Sequence, residues 1–351
     1  HNVLCLSEAK GMDIKMKKGI ALAILAMTGI MALTGCSGKK EAKLSVKIAH
    51  DNNVNTPLHK AFLKYEELVE ERSQGKIDII LLPGSQMGSV QDTFEQCRRG
   101  DIEMSGSTTS NFTQAIPEFA AWESFYMFDD SAHAKRVFES EIGKKMMEPL
   151  ERMDLQGIGY MELGFRNFSN SKRPIVVADD LKDLKIRGYN PIQIKAWESL
   201  GVNTTSVSWN ELFTSLQQKM IDGQECATNS FYTEKFYEAQ KYWSLTRHVF
   251  TNFLWYANKD FMERISEEER TILLECAKEA IDYNWKLADE AEAETLKKLE
   301  QEGVQVNEVD KLERRKMGMI MNGTTKGDIV SLCGEETYET LMDAVEEQRE
   351  G

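Results

Sequence analysis

The chain has 351 residues, enough for about two domains. A hydrophobic content of 41% excludes a wholly disordered polymer. Asp and Glu number 57 against 43 Lys and Arg, a net charge of −14, which excludes the concentrated basic surface that nucleic-acid binding uses. A small anionic ligand stays compatible with that charge, because one arginine in a cleft outweighs distant surface acids.

Residues 1–15 read as an upstream segment foreign to the fold. Residues 16–35 read as a signal peptide: Lys17 and Lys18 form a positive start, and Gly19 to Leu33 is a nearly apolar run of 15 residues. That run is short for a membrane span of about 20 residues and fits an export signal. Leu33-Thr34-Gly35-Cys36 resembles a bacterial lipobox, which would make Cys36 the lipidated N-terminus and 36–43 a tether. A plain secretory signal or an N-terminal anchor are the alternatives. Each places the mature protein outside the cytoplasm, near the membrane.

Leu44, Val46 and Ile48 alternate with polar residues and predict a strand that ends at His50-Asp51-Asn52-Asn53. The spacing of Leu58, Phe62, Tyr65 and Val69 predicts a helix over 56–72, stopped by Gly75. A strand at 77–82, a helix at 90–99 closed by Gly100, and a strand at 102–104 follow, the last running into the polar segment 105–111. Such alternation implies a largely parallel sheet, with ligands beyond the carboxyl ends of its strands. Both polar clusters fall there, which makes Asp51 and Thr108 candidate contacts.

The second half repeats the theme. A strand at 158–161 leads to Arg166, and a strand at 184–187 ends in Arg187. Helices are expected at 191–200, at 210–219 with Asn210 as cap, and at 231–242; residues 221–225 enter a polar stretch. Residues 249–256 form an apolar strand. Ser266 and Glu269 form a capping box for a helix running to Gly303. At about 1.5 Å per residue it spans both domains of one chain, or else pairs as a coiled coil.

Catalytic motifs are missing: no phosphate-binding glycine loop, nucleophile elbow or His-Glu-x-x-His occurs, and the five histidines lack metal-ligand spacing. No cofactor, metal or catalytic residue is expected. Cys97, Cys226, Cys276 and Cys333 allow two disulfides or four free thiols. The two arginines, each after an apolar segment, suit bidentate capture of a carboxylate, or pair with a nearby acid such as Asp180 or Glu162.

Several ordered blocks carry a resemblance. Gly164-Phe165-Arg166-Asn167-Phe168-Ser169-Asn170-Ser171-Lys172-Arg173-Pro174-Ile175, Asp180-Leu181-Lys182-Asp183-Leu184-Lys185-Ile186-Arg187, the segment from Trp209 to Gln218 with Ile221-Asp222-Gly223-Gln224-Glu225, and Lys235 to Tyr242 resemble the solute-binding proteins of tripartite ATP-independent periplasmic (TRAP) transporters, the DctP family. Ser73-Gln74-Gly75-Lys76-Ile77 and Pro83-Gly84-Ser85-Gln86-Met87-Gly88 fit the same family, so the similarity runs from Leu44 to about Gly303.

The resemblance implies an α/β, two-domain periplasmic-binding-protein-like (Venus-flytrap) fold with a long helix spanning both domains. Domain I is expected to hold 44–163 and 252–290, and domain II 164–251 and 291–351. It also implies an extracytoplasmic receptor, not an enzyme, that hands an organic acid (a sugar acid such as a uronate, or a C4-dicarboxylate) to a membrane permease. Arg187 matches the family's main carboxylate clamp, Arg166 its supporting arginine, and Trp209 its cleft aromatic. Arg166→Ala is then expected to be milder than Arg187→Ala. Two positions depart from the pattern. Gly188-Tyr189 follows Arg187 where Val-Pro is usual, and Cys226 replaces an asparagine that commonly touches ligand. The segment from Ser107 to Asn111 offers hydroxyl and amide contacts for a polyhydroxy acid instead. An exported hydrolase using Asp222 and Glu225, or a sensory ligand-binding subunit, are the competing readings.

Overall fold

The computed structural model describes residues 44–350; the expected signal peptide, the tether and Cys36 lie outside the described residues. The first half is built as the alternation predicts. Strand β1 (Leu44–His50) leads to helix α1 (Pro57–Arg72), capped by Thr56, and then to β2 (Ile77–Leu82), which pairs parallel to β1. Helix α2 (Val90–Arg99) starts in a Ser89–Asp92 capping box and stops at left-handed Gly100; β3 (Met104–Ser107) then pairs parallel to β1 on its other side. Helices α3 (Ser131–Glu139) and α4 (Glu141–Lys145) precede the 16-residue strand β4 (Leu155–Asn170).

The second half contains β5 (Lys185–Gly188), α5 (Pro191–Glu198), β6 (Asn203–Ser206), α6 (Leu212–Gln217), β7 (Gly223–Ala227), α7 (Thr228–Thr233) and β8 (Tyr242–Leu245). Strand β9 (Phe250–Asn258) returns the chain, followed by α8 (Lys259–Arg264), the 35-residue α9 (Glu267–Gln301), β10 (Gln305–Glu308), α10 (Lys311–Cys333) and α11 (Glu335–Glu347). The strands run in the order β2-β1-β3-β9-β4-β7-β5-β6, with β8 paired to β4 and β10 paired to β8.

Strands β4 and β9 join the halves. They pair antiparallel from Leu155 opposite Asn258 to Phe165 opposite Phe250, and β4 then continues against β7 and β8. A register shift between Glu162 and Gly164 marks the passage, with Gly164 at φ +104°, a conformation that side chains resist. Helix α9 packs Leu273, Cys276, Ala277 and Ala280 with Phe62 and Tyr65 of α1, while Leu299 joins Phe231 and Trp243 of the second half. Its apolar face is occupied within its own chain, which favours the spanning helix over a coiled coil. The molecule is therefore a two-domain α/β fold of the periplasmic-binding-protein kind. The C-terminal helices touch both halves: Ile329 and Leu341 pack with Phe119 and Phe138, and Met317 and Met321 with Trp197.

Several expected elements differ. Strand β3 takes in Ser105, Gly106 and Ser107, because Gly106 lets β9 approach: a Cβ there would lie 2.4 Å from the Phe253 ring. Residues 223–227 are a buried strand, not a polar stretch. The helix expected over 231–242 is α7, a 3-10 turn and β8, broken where Lys235 turns left-handed at φ +57°. Asn210 does not cap a helix; it sits in a 3-10 turn at Trp209–Glu211 ahead of α6. Arg166 lies inside β4, not at a strand end. Strands β6 and β10 and helices α10 and α11 were unforeseen. Cys97, Cys226, Cys276 and Cys333 are all buried free thiols. Among the described residues no helix is long and apolar enough to cross a membrane, and no group of side chains fits a metal.

Candidate functional site

A cavity of about 260 Å³ opens between the carboxyl ends of β1 and β3 and those of β5 and β7. The first half supplies Asp51, Ser107, Thr108 and Asn111, together with Ser85 and Ser89 from the turn before α2 and Gln91 from its first turn. The second supplies Arg187, Tyr189, Trp209 and Cys226, with Arg166 from β4 at the floor. All six residues expected to contact ligand (Arg187, Arg166, Trp209, Cys226, Asp51 and Thr108) line this one cavity.

The two arginines are electrically different. Arg166 is buried and ion-paired with Glu225. Its Nη2 donates to Glu225 Oε1 at 2.8 Å and to the Glu225 carbonyl at 2.6 Å. His248 donates from Nε2 to Glu225 Oε2 at 2.8 Å. Burial alone would push the Glu225 carboxyl up; Arg166 and the His248 hydrogen bond overcome it and bring it to about 2. Burial likewise pulls Arg166 down, and Glu225 more than reverses this. Burial holds His248 below its ordinary range, so the ring is neutral. Arg166, Glu225 and His248 therefore form a closed set whose charges cancel.

Arg187 is buried as deeply, yet no carboxylate among the described residues lies within ion-pair distance. Its Nε donates to the Val207 carbonyl at 2.9 Å. The guanidinium sits 5.0 Å from the Tyr189 ring centroid and 5.4 Å from that of Trp209. Burial, then repulsion from Arg166, lowers its pKa to about 10. Such a cation is stabilised by an arriving anion, whose planar carboxylate matches the fork.

Matching the chain against family models joins residues 48–327 to DctP, the bacterial extracellular solute-binding proteins of family 7. The chain belongs to that family. Among its relatives is the 2,3-diketo-L-gulonate-binding periplasmic protein YiaO of Escherichia coli, 31% identical over 79% of this chain and 85% of that one. The C4-dicarboxylate-binding protein DctB of Bacillus subtilis is 29% identical over 72% and 73%. The sugar acid binding protein DctPAm of Advenella mimigardefordensis, solved with galactonate, superposes with a TM-score of 0.84, covering 88% of this chain and 99% of that one at 28% identity. Family members are solute-binding proteins of transporters, not enzymes. The hydrolase reading fails locally too, since Glu225 is ionised and fully engaged, while Asp222 accepts from the Lys185 amide and pairs with Lys172.

In this DctP-family chain the departures have physical causes. A Cβ at Gly188 would lie 2.5 Å from Ile194, so glycine lets α5 close on β5. Asn190 caps α5 ahead of Pro191, and Tyr189 places its ring 5.0 Å from both guanidinium carbons. Cys226, its thiol pushed by burial to about 12, leaves a weak neutral group where an amide is usual. Thr108 shares a hydroxyl hydrogen bond with Ser110 at 3.0 Å. Sequence reasoning missed Tyr189 as a cavity wall and Glu225 and His248 as partners of Arg166. The adjacency of Tyr189 to Arg187 was its one available signal.

Proposed function

We propose that this protein is an extracytoplasmic receptor, lipid-anchored through Cys36, that captures an organic acid and delivers it to the membrane subunits of a TRAP permease. The ligand class is a sugar acid such as a uronate, or a C4-dicarboxylate. The observation that carries this reading is Arg187: a buried guanidinium in a cavity, with no carboxylate among the described residues within ion-pair distance. Relatives named for 2,3-diketo-L-gulonate, galactonate and C4-dicarboxylates support it. Arg166 holds the floor of the cavity while Glu225 cancels its charge.

Thermal melts over dicarboxylates, keto acids and sugar acids test the reading. A ligand near 100 times its Kd stabilises by about 2.7 kcal/mol. Stabilisation by a neutral sugar or an amine, with every organic acid silent, overturns it. Release of a Cys36→Ser variant from the membrane fraction tests the anchor.

A further inference from the structure

The charged side chains lining the cavity are three: Arg166, Arg187 and Asp51. Glu225 cancels Arg166. Among the described residues, what remains at the cavity is one unpaired cation on the β5 side and one acid on the β1 side, with no further cation lining it.

Asp51 is half-buried at the end of β1. Its Oδ1 accepts from Asn52 Nδ2 at 2.9 Å and its Oδ2 from Ser107 Oγ at 3.2 Å. No Lys or Arg among the described residues pairs with it. Burial pushes the Asp51 carboxyl above its ordinary range, while the hydrogen bonds from Ser107 and Asn52 and the charge of Arg187 act the other way. In its ionised form it is an acceptor with about four lone-pair sites, so Asp51 keeps capacity for ligand donors. Its neighbours on that wall, Ser85, Ser89, Ser107 and Asn111, are hydroxyls and an amide.

We infer that Asp51 makes the cavity selective for a monocarboxylate rich in hydroxyl groups and selects against dicarboxylates. The inference rests on the reading of Arg187 as the carboxylate clamp. A dicarboxylate satisfies Arg187 with one end and brings the other toward Asp51, where no further cation among the described residues lines the cavity to receive it. A polyhydroxy acid places its carboxylate on Arg187 and donates hydroxyl hydrogens to Asp51. An ammonium group would satisfy Asp51 too, but would leave the row of serine and asparagine groups unmatched.

Calorimetry with galactonate, glucuronate, succinate and L-serine on wild type, Asp51→Asn and Arg187→Ala tests this. Wild type is expected to bind a sugar acid at least tenfold more tightly than succinate. Asp51→Asn, nearly the same shape without the charge, is expected to shrink that ratio at least tenfold, with succinate binding strengthened. Arg187→Ala weakens every carboxylate. Succinate or L-serine binding wild type as tightly as either sugar acid overturns the inference, as does an unchanged ratio in a folded Asp51→Asn; the clamp reading survives both. Failure of all carboxylates to bind wild type overturns both.

Discussion

Arg166 and Arg187 share one tyrosine ring yet do different jobs, and substitution should separate them. Arg187→Ala removes the cation a bound carboxylate needs. Losing one partner of a buried, hydrogen-bonded charge pair costs about 2–5 kcal/mol, roughly 30- to several-thousand-fold in Kd. Calorimetry should show that loss with the melting temperature little changed or raised, because the vacant site carries an unpaired charge. Arg187→Lys should recover only part of the affinity, since an ammonium lacks the planar fork. Arg166→Ala should act on folding instead. It strands the Glu225 charge in the interior, and breaking a buried pair in this way costs about 3–5 kcal/mol. Urea unfolding of the variant should show the drop; unchanged stability would mean that Glu225 is relieved some other way. The sequence-based expectation of a mild Arg166 effect thus holds for the ligand at most. The arginines were legible because their type and setting suit carboxylate capture. Glu225 was not, because its pairing joins positions 59 residues apart, and a polar run of Gly-Gln-Glu looks like a turn until those partners are known.

Helices with explicit ends were read almost to the residue: α1 from Thr56, α2 between Ser89 and Gly100, and α9 from its Ser266–Glu269 box. Strand β7 was invisible because its polar side chains, Gln224 and Glu225, are satisfied internally by Ser169, Arg166 and His248. The passage between β4 and α9 holds a testable group. Asn284 of α9 accepts from the Glu162 amide at 2.6 Å and donates to the Glu162 carbonyl at 3.2 Å, fixing the strand beside its register shift. The Glu162 side chain is buried, and its Oε2 lacks a partner. Burial, with the charges of Asp289 and Glu292, pushes its carboxyl up to about 8. Between about pH 4.5 and 8 the unfolded chain has given up this proton while the folded chain keeps it, so stability falls as pH rises. Glu162→Gln should flatten that slope. Melts of wild type and variant across this range check it, and parallel slopes would remove Glu162 from the account.

On the scale of the whole molecule, the cavity lies between two halves joined by β4, β9 and α9. We place the hinge near Leu163-Gly164, near Thr251-Asn252 and within α9, where the positive-φ Gly164 and the register shift concentrate backbone irregularity. Binding should close the halves, burying the carboxylate on Arg187. X-ray scattering should show a smaller radius of gyration with saturating ligand; equal radii would argue for a rigid cavity. The two-domain plan was legible from alternating strands and helices, whereas the sharing of α10 and α11 between halves was not, since it depends on contacts such as Met321 with Trp197. Arg187, a cavity cation without an acid partner among the described residues, also bears on kinetics. An anion approaching a chain of net charge −14 is repelled at long range and attracted only inside the cavity. Dissolved salt screens beyond about 8 Å at physiological strength and so weakens the outer repulsion far more than the buried attraction. Capture should therefore speed up as salt is added, the reverse of what an anion-binding site on a basic protein would do.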